Sequence, residues 1–123
     1  MANPNIVNVT SIYGNTSYLI PSGTSQVTWT ALTPASGTVN KIDNIVAANV
    51  TSTPATVSVA INSATAGAGT NYRLIANVPV PANAAIVIAD KSTAFYLGES
   101  QSITVVVGTA SAIELTASYE AIT

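Results

Sequence analysis

The sequence predicts an all-β domain, and three observations support this prediction. Apolar and polar residues alternate along most of the chain, which is the period of a half-buried strand. Val, Ile and Thr dominate these runs, and their branched side chains favour strands. Turn residues interrupt the runs at roughly 8–12-residue spacing, as in antiparallel sandwiches. We therefore expect one antiparallel β-sandwich, jelly-roll or immunoglobulin-like, with about eight or nine short strands.

The length fits a single domain. The chain has 123 residues, within the range of about 100–150 residues where domains cluster. Such a chain buries roughly 65–70% of its surface on folding, so it needs neither disulfides nor metal for a core. We assign residues 1–123 to one sandwich domain and expect residues 1–5 to form an extended N-terminal arm.

The predicted strands differ in how clearly they can be recognised. A Gly-Asn pair tolerates positive φ, so Gly14 and Asn15 predict a hairpin turn. The segment 39–50 is predicted as a strand with a bulge, because its asparagines are poor helix formers. Residues 62–70 are rich in Gly and Ala and predict a flexible loop. The candidate strand segments are residues 6–13, 16–20, 25–32, 39–50, 55–61, 71–80, 84–90, 95–97, 102–107 and 112–122.

Two of these segments predict which side chains are buried. Within residues 25–32, Trp29 is expected on one face and Leu32 on the other. Within residues 112–122, the apolar face carries Ile113, Leu115, Ala117 and Tyr119, and the polar face carries Glu114, Thr116, Ser118 and Glu120.

The composition excludes most catalytic chemistry. Only 7% of the residues are charged, there is no His and no Cys, and 48% are hydrophobic. The usual general base, thiol nucleophile and thiolate metal ligand are therefore missing. We predict a protein that is not an enzyme, with no catalytic residues, no cofactor and no metal site.

The remaining candidate groups lack a supporting motif. Lys41 and Lys91 are the only bases for a Ser-Lys arrangement, and neither lies in a recognisable context. Glu114 and Glu120 share a strand face but stand roughly 20 Å apart, too far for a carboxylate pair. The remaining acidic residues are Asp43, Asp90 and Glu99.

Two loop segments resemble ligand-binding motifs only superficially. Asp90 begins the sequence DKST, which lacks a second acidic ligand for calcium, so we interpret it as an Asx turn. Residues 67–69 are not a phosphate loop, because no lysine follows them and no helix is predicted to start there.

The charge balance argues against nucleic acid and membranes as partners. The net charge is −2, and the cations Lys41, Arg73 and Lys91 are far apart, whereas phosphate binding needs clustered cations. No apolar run approaches the ~18 residues of a membrane span. The first residues do not form a signal peptide, so we expect synthesis in a cytoplasm without export.

A surface with so few charges predicts self-association. Native sheets protect their edges with charges, prolines or bulges, and this chain offers few of them. We therefore expect a homo-oligomer or a subunit of a larger assembly. Trp29 is expected in the core; if exposed, Trp29 or Tyr13 would serve as an interface anchor or a sugar-stacking platform. The predicted edge-protecting residues are Pro4, Pro79, Pro81, Glu114 and Glu120.

Three segments carry a family resemblance. They are residues 9–16 (VTSIYGNT), residues 89–99 with ADKST and YLGE, and residues 112–120 (AIELTASYE). Together they frame nearly the whole chain. In order and spacing they resemble small virion structural proteins of tailed bacteriophages, especially cyanophages and other marine phages, of the capsid decoration or cement type.

The resemblance implies a structural role in the particle. The chain is then expected on the capsid surface of the virion, where it binds the outer face of the major capsid protein and stabilises the shell. It is expected to be made in the host cytoplasm and to form a homo-oligomer, with a trimer favoured. The alternative is a receptor- or glycan-binding β-sandwich of a tail or fibre, which predicts exposed aromatic side chains at a loop end.

Overall fold

The computed structural model describes residues 7–123, which form two antiparallel sheets packed face to face. The predicted N-terminal arm and Pro4 lie outside these residues. Short 3₁₀ turns occur at Thr30–Leu32, Thr65–Gly67 and Lys91–Thr93. No helix among the described residues is long and apolar enough to cross a membrane. The strands are β1 (Ile12–Leu19), β2 (Val27–Thr28), β3 (Val39–Asn49), β4 (Ala55–Asn62), β5 (Asn71–Val80), β6 (Ala85–Ala89), β7 (Phe95–Leu97), β8 (Ser102–Val107) and β9 (Ile113–Ile122).

The strand order identifies the sandwich as a jelly roll. The first sheet has the order β1-β9-β3-β6, with β7 also paired to β3, and the second has the order β2-β8-β4-β5. The antiparallel pairs β1–β9, β2–β8, β3–β6 and β4–β5 follow one another along a folded ribbon and alternate between the two sheets. A ribbon wound in this way around one core is a jelly roll. The all-β prediction is confirmed, and the jelly roll is the observed type.

The core lies between the inner faces of the two sheets. The alternation predicted for β9 is confirmed from Ile113 to Ala117, where Ile113, Leu115 and Ala117 are buried while Glu114 and Thr116 are exposed. Farther along the strand, Ser118, Tyr119 and Glu120 are all half-buried, so the predicted alternation does not continue. Strands from both sheets and the first 3₁₀ turn contribute to this core. Its largest fully buried side chains include Trp29, Leu32, Ile42, Ile45, Leu97, Ile103, Ile113 and Leu115.

The predicted hairpin at Gly14 and Asn15 is wrong. Both residues lie inside β1, which pairs with β9 without interruption from Ile12 opposite Ile122 to Leu19 opposite Leu115. Neither residue has a positive φ. Continuous pairing along the strand outweighs the local turn preference, as tertiary context commonly does in sheets.

The segment 25–32 is a strand for only two residues. Val27 and Thr28 pair with β8, after which the chain turns into the 3₁₀ turn Thr30–Leu32. The turn changes the side-chain period, so Trp29 and Leu32, predicted on opposite faces, are both buried.

The predicted bulge in the segment 39–50 is confirmed. The register of β3 against β9 shifts between Ile42 and Asn44, so Asp43 is the extra residue. The side-chain oxygen of Asn44 accepts a hydrogen bond from the amide of Ser118 at 3.1 Å. A bulge of this kind leaves one residue unpaired and bends the strand locally.

The predicted protection of the sheet edges is only partly correct. Glu114 and Glu120 lie on β9, which has β1 on one side and β3 on the other, so they protect no edge. Pro79 lies on the edge strand β5 opposite Thr56, and Pro81 follows directly after that strand. An edge strand tolerates proline, because on its open side there is no neighbouring strand to which the missing N–H would have donated.

Candidate interaction surface

The charged side chains do not converge on a catalytic arrangement. The Lys41 ammonium lies 4.0 Å from a carboxylate oxygen of Asp43 and 4.0 Å from one of Glu120. These groups are more than a third exposed, and such surface ion pairs contribute about 0–1 kcal/mol. Lys91 lies in an exposed 3₁₀ turn. Among residues 7–123, no group of three His, Cys, Asp or Glu residues lies close enough to hold a metal ion.

Asp90 caps its own turn, as predicted. Its Oδ1 accepts hydrogen bonds from the Ser92 hydroxyl at 2.6 Å and from the Ser92 amide at 2.9 Å. The Thr93 hydroxyl accepts from the amide of Asp90 at 2.9 Å, which completes a capping box. The bonds from Ser92, with the hydroxyl first, hold the pKa of Asp90 below its ordinary value. The group is fully used in shaping the turn.

The predicted flexible loop 62–70 is instead held by a network of hydrogen bonds. The side-chain oxygen of Asn62 accepts from the amides of Ala64 and Gly69 at 3.0 and 2.8 Å. Its side-chain nitrogen donates to the carbonyl of Gly69 at 3.1 Å and to the side-chain oxygen of Asn71 at 2.7 Å. Asn62 is therefore fully satisfied although it is 0% exposed.

This loop covers part of the outer face of the second sheet. The Ser102 hydroxyl on β8 accepts from the amide of Gly67 at 3.1 Å and donates to the carbonyl of Ala64 at 2.7 Å. Ser102 and Thr104 are buried beside Asn62, although all three point away from the core. With its amides used internally, the glycine segment 67–69 offers no cradle for phosphate, as the sequence predicts.

Trp29 is in the core and is not an exposed anchor. Only 1% of its surface is exposed, and its indole N–H donates to the hydroxyl of Ser17 on β1 at 3.1 Å. Tyr13, the other candidate anchor, is exposed on β1. The expectation that Trp29 is a core residue is confirmed.

Much of the outer face of the first sheet is open, although Val39 and Ile122 at one end of it are buried. The open part carries a row of side chains across four strands. Tyr18 on β1 lies opposite Thr116 on β9, Thr116 lies opposite Val46 on β3, and Val46 lies opposite Val87 on β6. Tyr18 is 78% exposed and Val87 is 61% exposed. No member of this row is charged.

Other apolar side chains extend this row into a surface, which we call the open face. Tyr18 and Ile20 line a shallow cleft of about 490 Å³ with Glu114 and Thr116. Toward the other end of the sheet, Glu120 lies opposite Lys41, and Lys41 lies opposite Tyr96. Charges therefore flank the apolar row on two sides. The exposed apolar side chains of the open face are Ile12, Tyr18, Ile20, Val87 and Tyr96.

Sequence reasoning missed Tyr18 and Val87. Tyr18 was hidden by the wrong hairpin, although its alternation with the half-buried Leu19 indicates opposite faces. Val87 belongs to an apolar run that is typical of a strand buried on both faces. In the structure this run is β6 at the end of its sheet, and only one of its faces packs against the core.

The fold and surface define a jelly-roll protein with one partly capped and one open sheet face. No protein-family model matches the chain, and no curated protein matches it. Among solved structures it is similar to the virus-like particle of extra small virus from the giant freshwater prawn Macrobrachium rosenbergii. That likeness has 17% identity and a TM-score of 0.40, and covers 97% of this chain and 86% of that one.

A second similar structure is that of the infectious bursal disease virus Gx strain. Its identity is 12% and its TM-score is 0.40, with 89% of this chain and 33% of that chain covered. Both likenesses are distant, and neither assigns a function to this chain.

Proposed function

We propose that this chain is a non-enzymatic structural protein of a virus particle, specifically a capsid decoration protein of the tailed-bacteriophage type. In this role it lies on the outer surface of the capsid, binds the major capsid protein and stabilises the shell. It is made in the host cytoplasm and joins the particle there. The family resemblance of the three segments suggests the particle, and the open face supplies the binding surface.

The open face is the observation that carries the proposal. Exposed apolar patches rimmed by polar residues mark protein–protein contacts in soluble proteins. Here Tyr18 and Val87 stand at opposite ends of one uncharged row, and the charged groups lie to either side of it. Burying such a row removes apolar area from water without desolvating a charge. A tyrosine beside a cleft is also a suitable interface anchor. Its ring buries a large apolar area, and its hydroxyl can form hydrogen bonds with water at the rim of the interface.

The second sheet suits the side that faces solvent. Its loop 63–70 folds over the polar side chains of Asn62 and Ser102 and uses their hydrogen-bonding groups. The hydroxyl of Thr104 donates to the side-chain oxygen of Asn71 on β5. A partner that docked on this face would meet groups that are already paired. We therefore assign the shell contact to the first sheet.

The glycan-binding alternative has no specific observation in its favour among the described residues. It requires aromatic side chains that converge at a loop end. Trp29 is buried, and the exposed tyrosine rings lie on strands rather than together in a loop. They are Tyr13 and Tyr18 on β1, Tyr72 on β5 and Tyr96 on β7.

The test is to mix the purified chain with capsids of its own virus that lack decoration and to image them by cryo-electron microscopy. We expect density on the outer shell. Tyr18→Ser should weaken binding about tenfold or more, as truncation of an anchor does. Tyr72→Ser is the matched control, since Tyr72 is 64% exposed on the other sheet. An empty shell, or equal loss in both variants, would contradict the proposal, and binding on a glycan array would favour the alternative.

A further inference from the structure

We propose that two copies of this chain pair through their β1 strands, antiparallel and with Asn15 at the two-fold axis, so that their first sheets become one continuous sheet. This pairing concerns the chain alone and does not depend on the proposed shell contact. It makes a dimer, in place of the trimer that the family resemblance implies.

Within residues 7–123, β1 leaves one side of its backbone open. Ser11 and Thr123 exchange both backbone hydrogen bonds, at 3.3 Å and 2.9 Å. In an antiparallel ladder such pairs alternate with pairs whose backbone groups point away. Among residues 7–123, β9 is the only strand that pairs with β1. The β1 residues whose backbone N–H and C=O groups point to the open side are therefore Ile12, Gly14, Thr16 and Tyr18.

The β1 edge also lacks the usual protection against pairing. The eight residues of β1 include no proline and no charged side chain, and their register with β9 has no bulge. The other ends of the two sheets differ. Strand β2 has only two residues, β5 carries Arg73, Pro79 and an irregular register, and β6 has five residues. A long, regular and uncharged edge is the kind that accepts another strand.

Strand β1 is complementary to itself. With Asn15 at the axis, Ile12 lies opposite Tyr18 of the partner subunit, and Gly14 lies opposite Thr16 of the partner subunit. All four open residues then form hydrogen-bonded pairs, which gives about eight backbone bonds at two for each pair. A shift of two residues in either direction leaves one of the four unpaired. This register also joins Ile12 and Tyr18, which are 54% and 78% exposed in the single chain, as an aromatic and β-branched cross-strand pair.

Charge does not oppose the pairing of two β1 strands. The nearest acidic side chain on the open face is that of Glu120, on the strand next to β1 and opposite Gly14. In the dimer, the two β9 strands that carry Glu120 lie three strand spacings apart, roughly 14 Å. That separation exceeds the screening length of about 8–10 Å at physiological salt. The paired sheets also place both open faces side by side, on one continuous surface.

The first experiment is disulfide trapping, which suits a chain without cysteine. At the axis Asn15 faces Asn15 of the partner subunit in a non-hydrogen-bonded pair, where the Cα atoms lie about 4.5 Å apart and a disulfide can form. We expect Asn15→Cys to form covalent dimers under mild oxidation. Val87→Cys is the control, since Val87 is 61% exposed on β6 at the other end of the sheet. Equal cross-linking in the two variants would overturn the proposal.

The second experiment measures the mass of the protein in solution by light scattering during gel filtration. Thr16→Pro removes an amide that points to the open edge, where proline is tolerated, and Thr16→Val keeps that amide. We expect dimers for the wild type and Thr16→Val, and a folded monomer for Thr16→Pro, with folding checked by circular dichroism. A wild type that is monomeric at high concentration, or trimeric, would overturn the pairing. Shell binding by a monomeric Thr16→Pro would separate this result from the proposed function.

Discussion

The indole N–H of Trp29 donates a hydrogen bond to the hydroxyl of Ser17 with 3.1 Å between the two atoms. Ser17 lies on β1, at the edge of the first sheet, and Trp29 follows β2 of the second sheet. The bond gives a partner to the only polar side-chain atom of Trp29, a residue that is only 1% exposed. It joins the open edge strand to a core residue.

Removing this bond should destabilise the fold. Ser17→Ala leaves the buried indole N–H without a partner, and we expect a loss of about 1–3 kcal/mol in the free energy of unfolding. Urea unfolding followed by the fluorescence of Trp29, the only tryptophan, measures this loss. The exposed Ser25→Ala is the control and should stay within about 0.5 kcal/mol of the wild type. Equal stabilities for the two variants would refute the role of the bond.

Asn62 should be the most sensitive polar position of the second sheet. Asn62→Ala leaves the amides of Ala64 and Gly69 and the carbonyl of Gly69 without their side-chain partner. The substitution removes four part-buried hydrogen bonds, each worth about 0.5–1.5 kcal/mol net, so we expect a loss of at least about 2 kcal/mol. Urea unfolding gives the loss, and faster proteolysis within residues 63–70 would show that the loop has been released. The exposed Asn8→Ala should change neither result.

Gly67 should not tolerate a side chain. Its φ is +72°, and a Cβ there would lie 2.7 Å from the hydroxyl oxygen of Thr28. We expect Gly67→Ala to cost about 1–3 kcal/mol from strain and steric conflict together. Gly23→Ala is the matched control, because a Cβ at Gly23 meets no atom within 4 Å. The two midpoints of thermal unfolding test the difference, and similar midpoints would contradict the prediction.

The pKa of Asp90 should depend on Ser92. The hydroxyl of Ser92 is the largest cause of the lowered pKa, so Ser92→Ala should raise that pKa toward its ordinary value. Because the folded-state pKa is lowered, the contribution of Asp90 to stability is present above the unfolded-state pKa and is lost as the pH falls through the folded-state value. An NMR titration of the Asp90 carboxyl group measures the shift. Ser100→Ala, in the next turn, should leave the titration unchanged; a pKa that does not respond to Ser92→Ala would rule out the hydroxyl as its cause.

Local pattern predicted the central strands well. Alternation in β9 indicated the buried side chains Ile113, Leu115 and Ala117, because a strand between two neighbours with one buried face must alternate. Residues 39–50 were also predicted as a bulged strand, since their asparagines are poor helix formers, and the structure places the bulge at Asp43. In both places local preference and tertiary packing agree.

The edge strand shows why other features could not be predicted. Thr16 of β1 lies opposite Ser118 of β9, 102 residues later in the chain. A window that contains only Gly14, Asn15 and their neighbours holds no information about that partner, so the turn preference decided the prediction. Because of this wrong hairpin, the sequence did not predict that Tyr18 is exposed on the open face.

The composition already excluded His- and Cys-based chemistry, and the period of two already indicated strands with one apolar face, since both follow from the residues themselves and their nearest neighbours. The tertiary structure alone decided the jelly-roll order, the loop that covers part of one sheet and the open edge at β1. The physical reason is that the register of a strand and its choice of neighbour depend on how strands distant in sequence pack around one core. The packing free energy depends on all of these strands together, so no single segment determines it.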